Sequence, residues 1–109
     1  MEITGLWTAR FSTSLGSGSG VLSISDGRIA GGDSNYYYSG SYRVDPVRKS
    51  VSGSLRVVHF YGPLTAVFGP VRDISLTFVG AIGEDLIIAT ALSATHSELQ
   101  IRLERVERY

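Results

Sequence analysis

The chain contains no cysteine, so neither disulfides nor thiolate metal ligands are open to it. It has no excess of either charge: ten Lys and Arg balance ten Asp and Glu. A general nucleic-acid binder shows a basic excess or stripe, and the basic residues here are scattered. Neutrality also gives little electrostatic protection against self-association. Histidine is scarce, with only His59 and His96. Two imidazoles fall short of the three protein ligands of a catalytic zinc site, and Asp33 or Glu84 joins them only by folded proximity. No apolar run approaches the roughly 18 residues of a membrane-spanning helix. The start, Met1-Glu2-Ile3-Thr4-Gly5, has neither the basic nor the apolar segment of a secretion signal. These absences set the expectation of a cytoplasmic protein with no nucleic-acid or membrane partner, no metal and no cofactor. Helical periodicity is also lacking. Residues 96–108 alone collect helix formers, and there Leu99, Ile101 and Leu103 repeat at period two.

What is present is a succession of short alternating segments punctuated by Gly, Asp and Pro. A chain of 109 residues reads as one domain spanning residues 1–109. Strands are expected over residues 3–13, 21–25, 28–32, 36–44, 51–61, 71–82, 86–92 and 99–107. The Gly16-Ser17-Gly18-Ser19-Gly20 run reads as a loop leading into the second strand. Its spacing is not that of a dinucleotide or phosphate cradle, and no helix pattern follows it. Asp26-Gly27 is a strong hairpin signal. Gly62 to Pro70, with two prolines and several apolar residues, reads as a packed loop or a short helical turn serving as a lid. Ile87-Ile88 predicts a seventh strand buried on both faces. Eight evenly spaced strands with short connections predict an all-β fold. An eight-stranded antiparallel up-and-down barrel is preferred because closure removes both sheet edges.

The least generic stretch is Gly31-Gly32-Asp33 followed by Tyr36, Tyr37, Tyr38 and Tyr42. Gly-Gly-Asp has turn chemistry, and the tyrosines read as a strand. They fill a core and its rim, or their hydroxyls line a cavity or a partner surface. The candidate lumen is Trp7, Phe11, Leu22, Tyr38, Tyr42, Leu55, Val57, His59, Leu76 and Phe78. Such a lumen is either packed solid or holds a lipid-like molecule. Val21, Val58, Phe60 and Ile87 are expected to face outward and to form a patch for a homodimer. No Ser-His-Asp order stands out, and the carboxylates sit mostly in turns, so the chain reads as non-enzymatic.

Gly5-Leu6-Trp7 at the head of the first strand is similar to the Gly-x-Trp of lipocalins and other calycins. That likeness implies a Trp closing the barrel base against an Arg of the last strand, a role open to Arg102, Arg105 or Arg108. Gly5-Leu6-Trp7, Gly18 to Val21, Asp26-Gly27, Gly31-Gly32-Asp33 and Tyr38-x-Gly40-x-Tyr42 together resemble the GrlR-like family. The resemblance covers residues 3–61. It implies a lipocalin-like, calycin-type barrel, often a homodimer, with an apolar cavity. It also implies negative regulation by sequestering a transcriptional activator through protein contact. The family's regulator presents an acidic loop after the Tyr-x-Gly strand. This chain has Arg43, Asp45, Arg48 and Lys49 there, which are the candidate partner-binding residues. The alternative is a small hydrophobic-ligand-binding barrel with no regulatory partner.

Overall fold

The computed structural model describes residues 2–64, 67, 69–93 and 98–109. Eight strands follow one another: β1 (Gly5–Thr13), β2 (Gly16–Ser25), β3 (Arg28–Gly32), β4 (Tyr36–Asp45), β5 (Ser50–His59), β6 (Asp73–Gly83), β7 (Leu86–Ser93) and β8 (Glu98–Arg108). Each pairs antiparallel with the next, and β1 pairs with β8 to close the barrel. The expected all-β, up-and-down barrel is therefore what the chain forms, an architecture compatible with a calycin-like fold. Among the described residues no helix is long and apolar enough to cross a membrane. Period-two alternation dictates the result. Trp7 and Ala9, Leu22 and Ile24, Ile87, Ala89 and Ala91, and Leu99 and Leu103 all point inward and are buried.

The structure corrects three sequence expectations. Residues 16–20 are strand, not loop: Gly16 to Gly20 pair with Thr13 to Ala9. Their alternation is real but hidden. Ser17 and Ser19 lie on the outer face and the glycines on the inner one. Two aromatic rings occupy the space that the missing side chains leave. A methyl group on Gly18 would sit 2.7 Å from the Phe11 ring, and one on Gly20 would sit 2.8 Å from the Tyr38 hydroxyl and 2.9 Å from the Gly32 carbonyl. Next, β7 is not buried on both faces: Ile87 is 1% exposed and Ile88 45%. Ile87 is thus an interior residue and not part of an outward patch. Finally, β1 begins at Gly5, after Ile3 has folded under the barrel, where Ile3 is buried and its carbonyl accepts the Trp7 Nε1–H at 2.9 Å. Smaller differences concern ends. β5 stops at His59 because Phe60 and Tyr61 turn away to bond the Asn35 carbonyl, and β6 starts at Asp73.

That lower end of the barrel is closed by a cation. A register shift between Leu6 and Trp7 on the β1–β8 ladder brings Arg105 opposite Trp7. The Arg105 guanidinium lies 5.0 Å from the Trp7 ring centroid. Its side chain is 6% exposed, so its charge must be answered locally. Nε donates to Asp85 Oδ1 at 2.7 Å, and Nη1 donates to the carbonyls of Glu2 at 3.1 Å and Thr4 at 3.4 Å. Arg105, not Arg102 or Arg108, is the arginine on the Trp. Arg102 lies exposed on the outer wall, and Arg108 reaches Asp85 from the side at 2.8 Å.

Two outcomes follow from these contacts. Gly20→Ala should overpack the wall and lower stability by about 1–3 kcal/mol, read by urea denaturation. An unchanged midpoint would show that the Tyr38 ring has room to move. The hydrogen bond from Arg105, with help from Arg108, holds the Asp85 carboxyl below its ordinary value. A lowered folded-state value means stability that is present above the unfolded value of about 3.9 and is lost as pH falls through the folded one. Asp85→Asn should therefore lower the melting temperature at pH 7 and flatten its fall between pH 5 and 2. Parallel wild-type and variant melting curves would sink the assignment.

Candidate functional site

Among the described residues, two small apolar cavities lie along the barrel axis. The upper, of about 50 Å³, is lined by Ala9, Phe11, Leu22, Asp33, Tyr36, Tyr38, Leu55, Val57, Val67, Leu99 and Ile101. The lower, of about 40 Å³, is lined by Ile3, Leu22, Ile24, Ile29, Tyr42, Val51, Leu55, Phe78, Ile87, Ala89, Ile101 and Leu103. Leu22, Leu55 and Ile101 line both and so form the partition between them. Each is well short of the roughly 150 Å³ that admits benzene in an apolar protein cavity.

The structure brings most of the lumen candidates together. Phe11, Leu22, Tyr38, Leu55 and Val57 line the upper cavity, and Leu22, Tyr42, Leu55 and Phe78 the lower. Trp7 and Leu76 are buried but belong to the packed wall and base rather than to either cavity. His59 stands at the upper rim. Its ring packs edge-on to Tyr36, centroids 5.3 Å apart, and its Nε2 lies 2.7 Å from the Gly62 carbonyl, so Nε2 carries a proton.

The polar members of the upper cavity form one unit. Asp33 opens the turn between β3 and β4. Its Oδ1 accepts the backbone N–H groups of Asn35 and Tyr36, each at 2.9 Å, and its Oδ2 accepts the Tyr38 hydroxyl in a short hydrogen bond. Burial, then the hydrogen bond to Asp33 and its charge, push the Tyr38 hydroxyl well above its ordinary value, so it stays protonated as a donor. Phe11 and Tyr38 meet edge to face, ring centroids 6.1 Å apart.

Tyr61, Val67 and Val71, from the connection between β5 and β6, are tied across this end. The Tyr36 hydroxyl donates to the Val71 carbonyl at 2.8 Å, Asn35 Nδ2 donates to the Tyr61 carbonyl at 3.0 Å, and Thr13 Oγ1 donates to the Val67 carbonyl at 2.6 Å. Val67 is buried and lines the upper cavity. The expected short helical turn involves residues 65, 66 and 68, which lie outside the described residues, as does His96. Glu84 sits in the β6–β7 turn at the opposite end from His59 and Asp33. Among the described residues no group of three or more His, Cys, Asp or Glu could hold a metal ion.

Asp33 is a cavity residue beyond the lumen candidates, and so is Tyr36, one of the tyrosines whose hydroxyls are expected from the sequence to line either a cavity or a partner surface. Asp33 was legible only as a turn former. Its aim at Tyr38, two residues into the next strand, depends on how tightly the turn folds. The partner-loop candidates lie at the lower end, outside the lumen. Arg43 is exposed on the outer face of β4, Asp45 ends that strand, and Arg48 and Lys49 are exposed in the turn into β5. The Asp45 carboxylate accepts the N–H groups of Val47 at 3.0 Å and Arg48 at 3.2 Å, and Lys49 takes a positive φ of 53°.

Leu55→Ala should join the two cavities. It should cost about 2–3 kcal/mol of stability and let a small apolar probe such as indole bind, read by denaturation and by side-chain methyl NMR. Full stability with no probe-induced shift would remove Leu55 from the partition.

No family model matches the chain, and no curated protein is similar enough to count as a relative, so the GrlR-like resemblance rests on the quoted residues alone.

Proposed function

We propose that this barrel is a non-enzymatic regulatory protein that works by protein contact, in the manner of GrlR-like proteins, and pairs with a second copy of itself. The observation that carries the reading is the filling of the lumen. The cavities found among the described residues, of about 50 and 40 Å³, leave far less room than the roughly 300–1,000 Å³ of a ligand pocket. Function then falls to the outside of the wall. The turn after β4 is suited to docking: Val47, 89% exposed, stands at its tip between the Asp45 cap and the cations Arg48 and Lys49. An apolar tip flanked by cations favours a partner with an acidic rim around an apolar notch. In the GrlR-like pattern this loop is acidic, so the proposed partner here has the opposite charge from that family's.

The outer wall offers a second apolar surface. Val79, Ile88 and Leu92 project from neighbouring positions of β6 and β7, 59%, 45% and 50% exposed, with Ala81 beside them. This surface is where we place the self-contact.

The second reading, a carrier of a small apolar molecule, is favoured by one observation: both cavities are lined almost wholly by apolar side chains, and Leu55 stands between them. The two readings separate in one experiment on the native source. Gently purified wild-type protein should capture a stoichiometric protein partner. Val47→Asp with Arg48→Glu should lose that partner while keeping the wild-type melting temperature. Native mass spectrometry should show no strippable adduct. Retention of the partner by the loop variant would move the docking surface elsewhere. An apolar adduct with no captured protein would establish the carrier reading instead.

A further inference from the structure

Strand pairing on the outer face sets Arg10 of β1 directly opposite Arg102 of β8. Facing like charges on one sheet surface repel. Arg102 has an acceptor on its own strand, Glu104 Oε1, 3.0 Å from its Nε. The Arg10 side chain makes no ion pair or hydrogen bond among the described residues.

The positions around the pair carry donors. Ser19 faces Arg10 from β2, and in the adjoining row Ser17, Ser12 and Gln100 face one another in turn across β2, β1 and β8. These side chains and the two arginines line an open groove of about 500 Å³ on the barrel wall. Ile88 borders it from β7, opposite Arg102. The nearby carboxylates are Glu104 and Glu98, the latter accepting the Gln100 amide at 2.6 Å, and neither lines the groove.

We propose that this groove binds a phosphate-type oxyanion, carried by a soluble phosphomonoester or by a lipid headgroup. Two guanidiniums on facing strands border one space: the Arg10 fork has no acceptor among the described residues, and Arg102 gives only its Nε to Glu104. A carboxylate offers two oxygens in one plane and satisfies one fork. A phosphomonoester presents three terminal oxygens that are not coplanar, so it faces both guanidiniums at once, and the remaining lone pairs of the same oxygens accept the serine hydroxyls. The anion also converts the Arg10–Arg102 repulsion into a shared attraction. The site uses the β1–β8 wall and not the turn after β4, so it is independent of the docking loop, although Ile88 at its border also belongs to the surface proposed for self-contact.

The test is an NMR titration of the full chain with inorganic phosphate and with glycerol phosphate at constant ionic strength, with chloride as control. Saturable shifts should appear at the Arg10 and Arg102 Nε–H signals and at the Ser17 and Ser19 amides. Arg10→Gln and Arg102→Gln should each weaken the phosphate response about tenfold or more, as expected for loss of a charge-assisted contact. Without phosphate, Arg10→Gln should melt no lower than wild type, and it should lose the wild-type rise in melting temperature on adding phosphate. Co-sedimentation assigns the source. Pelleting with vesicles containing phosphatidic acid but not with pure phosphatidylcholine, abolished by Arg10→Gln, names a lipid headgroup. Response to the soluble anions without pelleting names a free phosphomonoester. Shifts that chloride reproduces, or that persist undiminished in Arg10→Gln, would overturn the proposal.

Discussion

Closure between β1 and β8 is the constraint on which the rest of this molecule depends. An open eight-stranded sheet would leave unpaired N–H and C=O groups along two edges. Here the first and last strands satisfy each other, and the ladder is irregular at one point, between Leu6 and Trp7. That irregularity puts Arg105 under the barrel and over the Trp7 ring. A buried cation is costly unless every face is answered. The answers come from three separate parts of the chain: the N-terminal carbonyls of Glu2 and Thr4, the Trp7 ring, and Asp85 in the β6–β7 turn. One guanidinium thus links the start of the chain, a turn and the last strand at the closing seam. Its contacts are all made in the one register of closure that the chain adopts.

Given closure, the interior is decided by how side chains of unequal size share a narrow space. Eight strands leave a lumen just wide enough for side chains or one small ligand. This chain fills most of it, and does so with contrast in size. Glycines at 18 and 20 on the inner face of β2 admit Phe11 and Tyr38 from β1 and β4. The Tyr38 hydroxyl then needs an acceptor, because an unpaired buried hydroxyl is expensive. Asp33 supplies it, and Asp33 is in turn held by two backbone N–H groups of its own turn. The Gly-rich run of β2, the Gly-Gly-Asp turn and the tyrosine strand are one packing solution spread over about 25 residues of sequence.

The fold was legible because strand alternation is a property of the sequence itself. Leu22 and Ile24, Ile87 and Ala89, and Leu99 and Leu103 each announce an inner face. Where that signal has no side chain to carry it, the reading fails. Gly16 to Gly20 alternates Gly with Ser, and with no apolar member the run looks like a linker. Ile87-Ile88 fails the other way: two apolar neighbours conceal which one faces in, and only pairing with Leu103 and Arg102 separates them. The lumen candidates were mostly legible for the same reason as the fold. Asp33 and Val67 were not, because each reaches the cavity from a turn or loop, and a loop's path follows from tertiary hydrogen bonds such as Thr13 Oγ1 to the Val67 carbonyl; Tyr36 begins β4 and shares the inward parity of Tyr38.

Alternation also explains why the two faces of the wall can differ so much in character. A register slip of one residue exchanges them wholesale, so the apolar inner set fixes the pairing of every strand. The outer set is then free of that duty. Its members become neighbours only through a register that others specify. Arg10 and Arg102 are 92 positions apart in sequence, yet the β1–β8 register makes them face each other. Neither position helps to choose that register, since a facing pair of cations disfavours it. The inner apolar contacts of Ala9 with Leu103 and of Phe11 with Ile101 hold the strands there regardless. Outer-face residues that oppose their own register are therefore informative in a barrel. They are kept in place by the opposite side of the same strands.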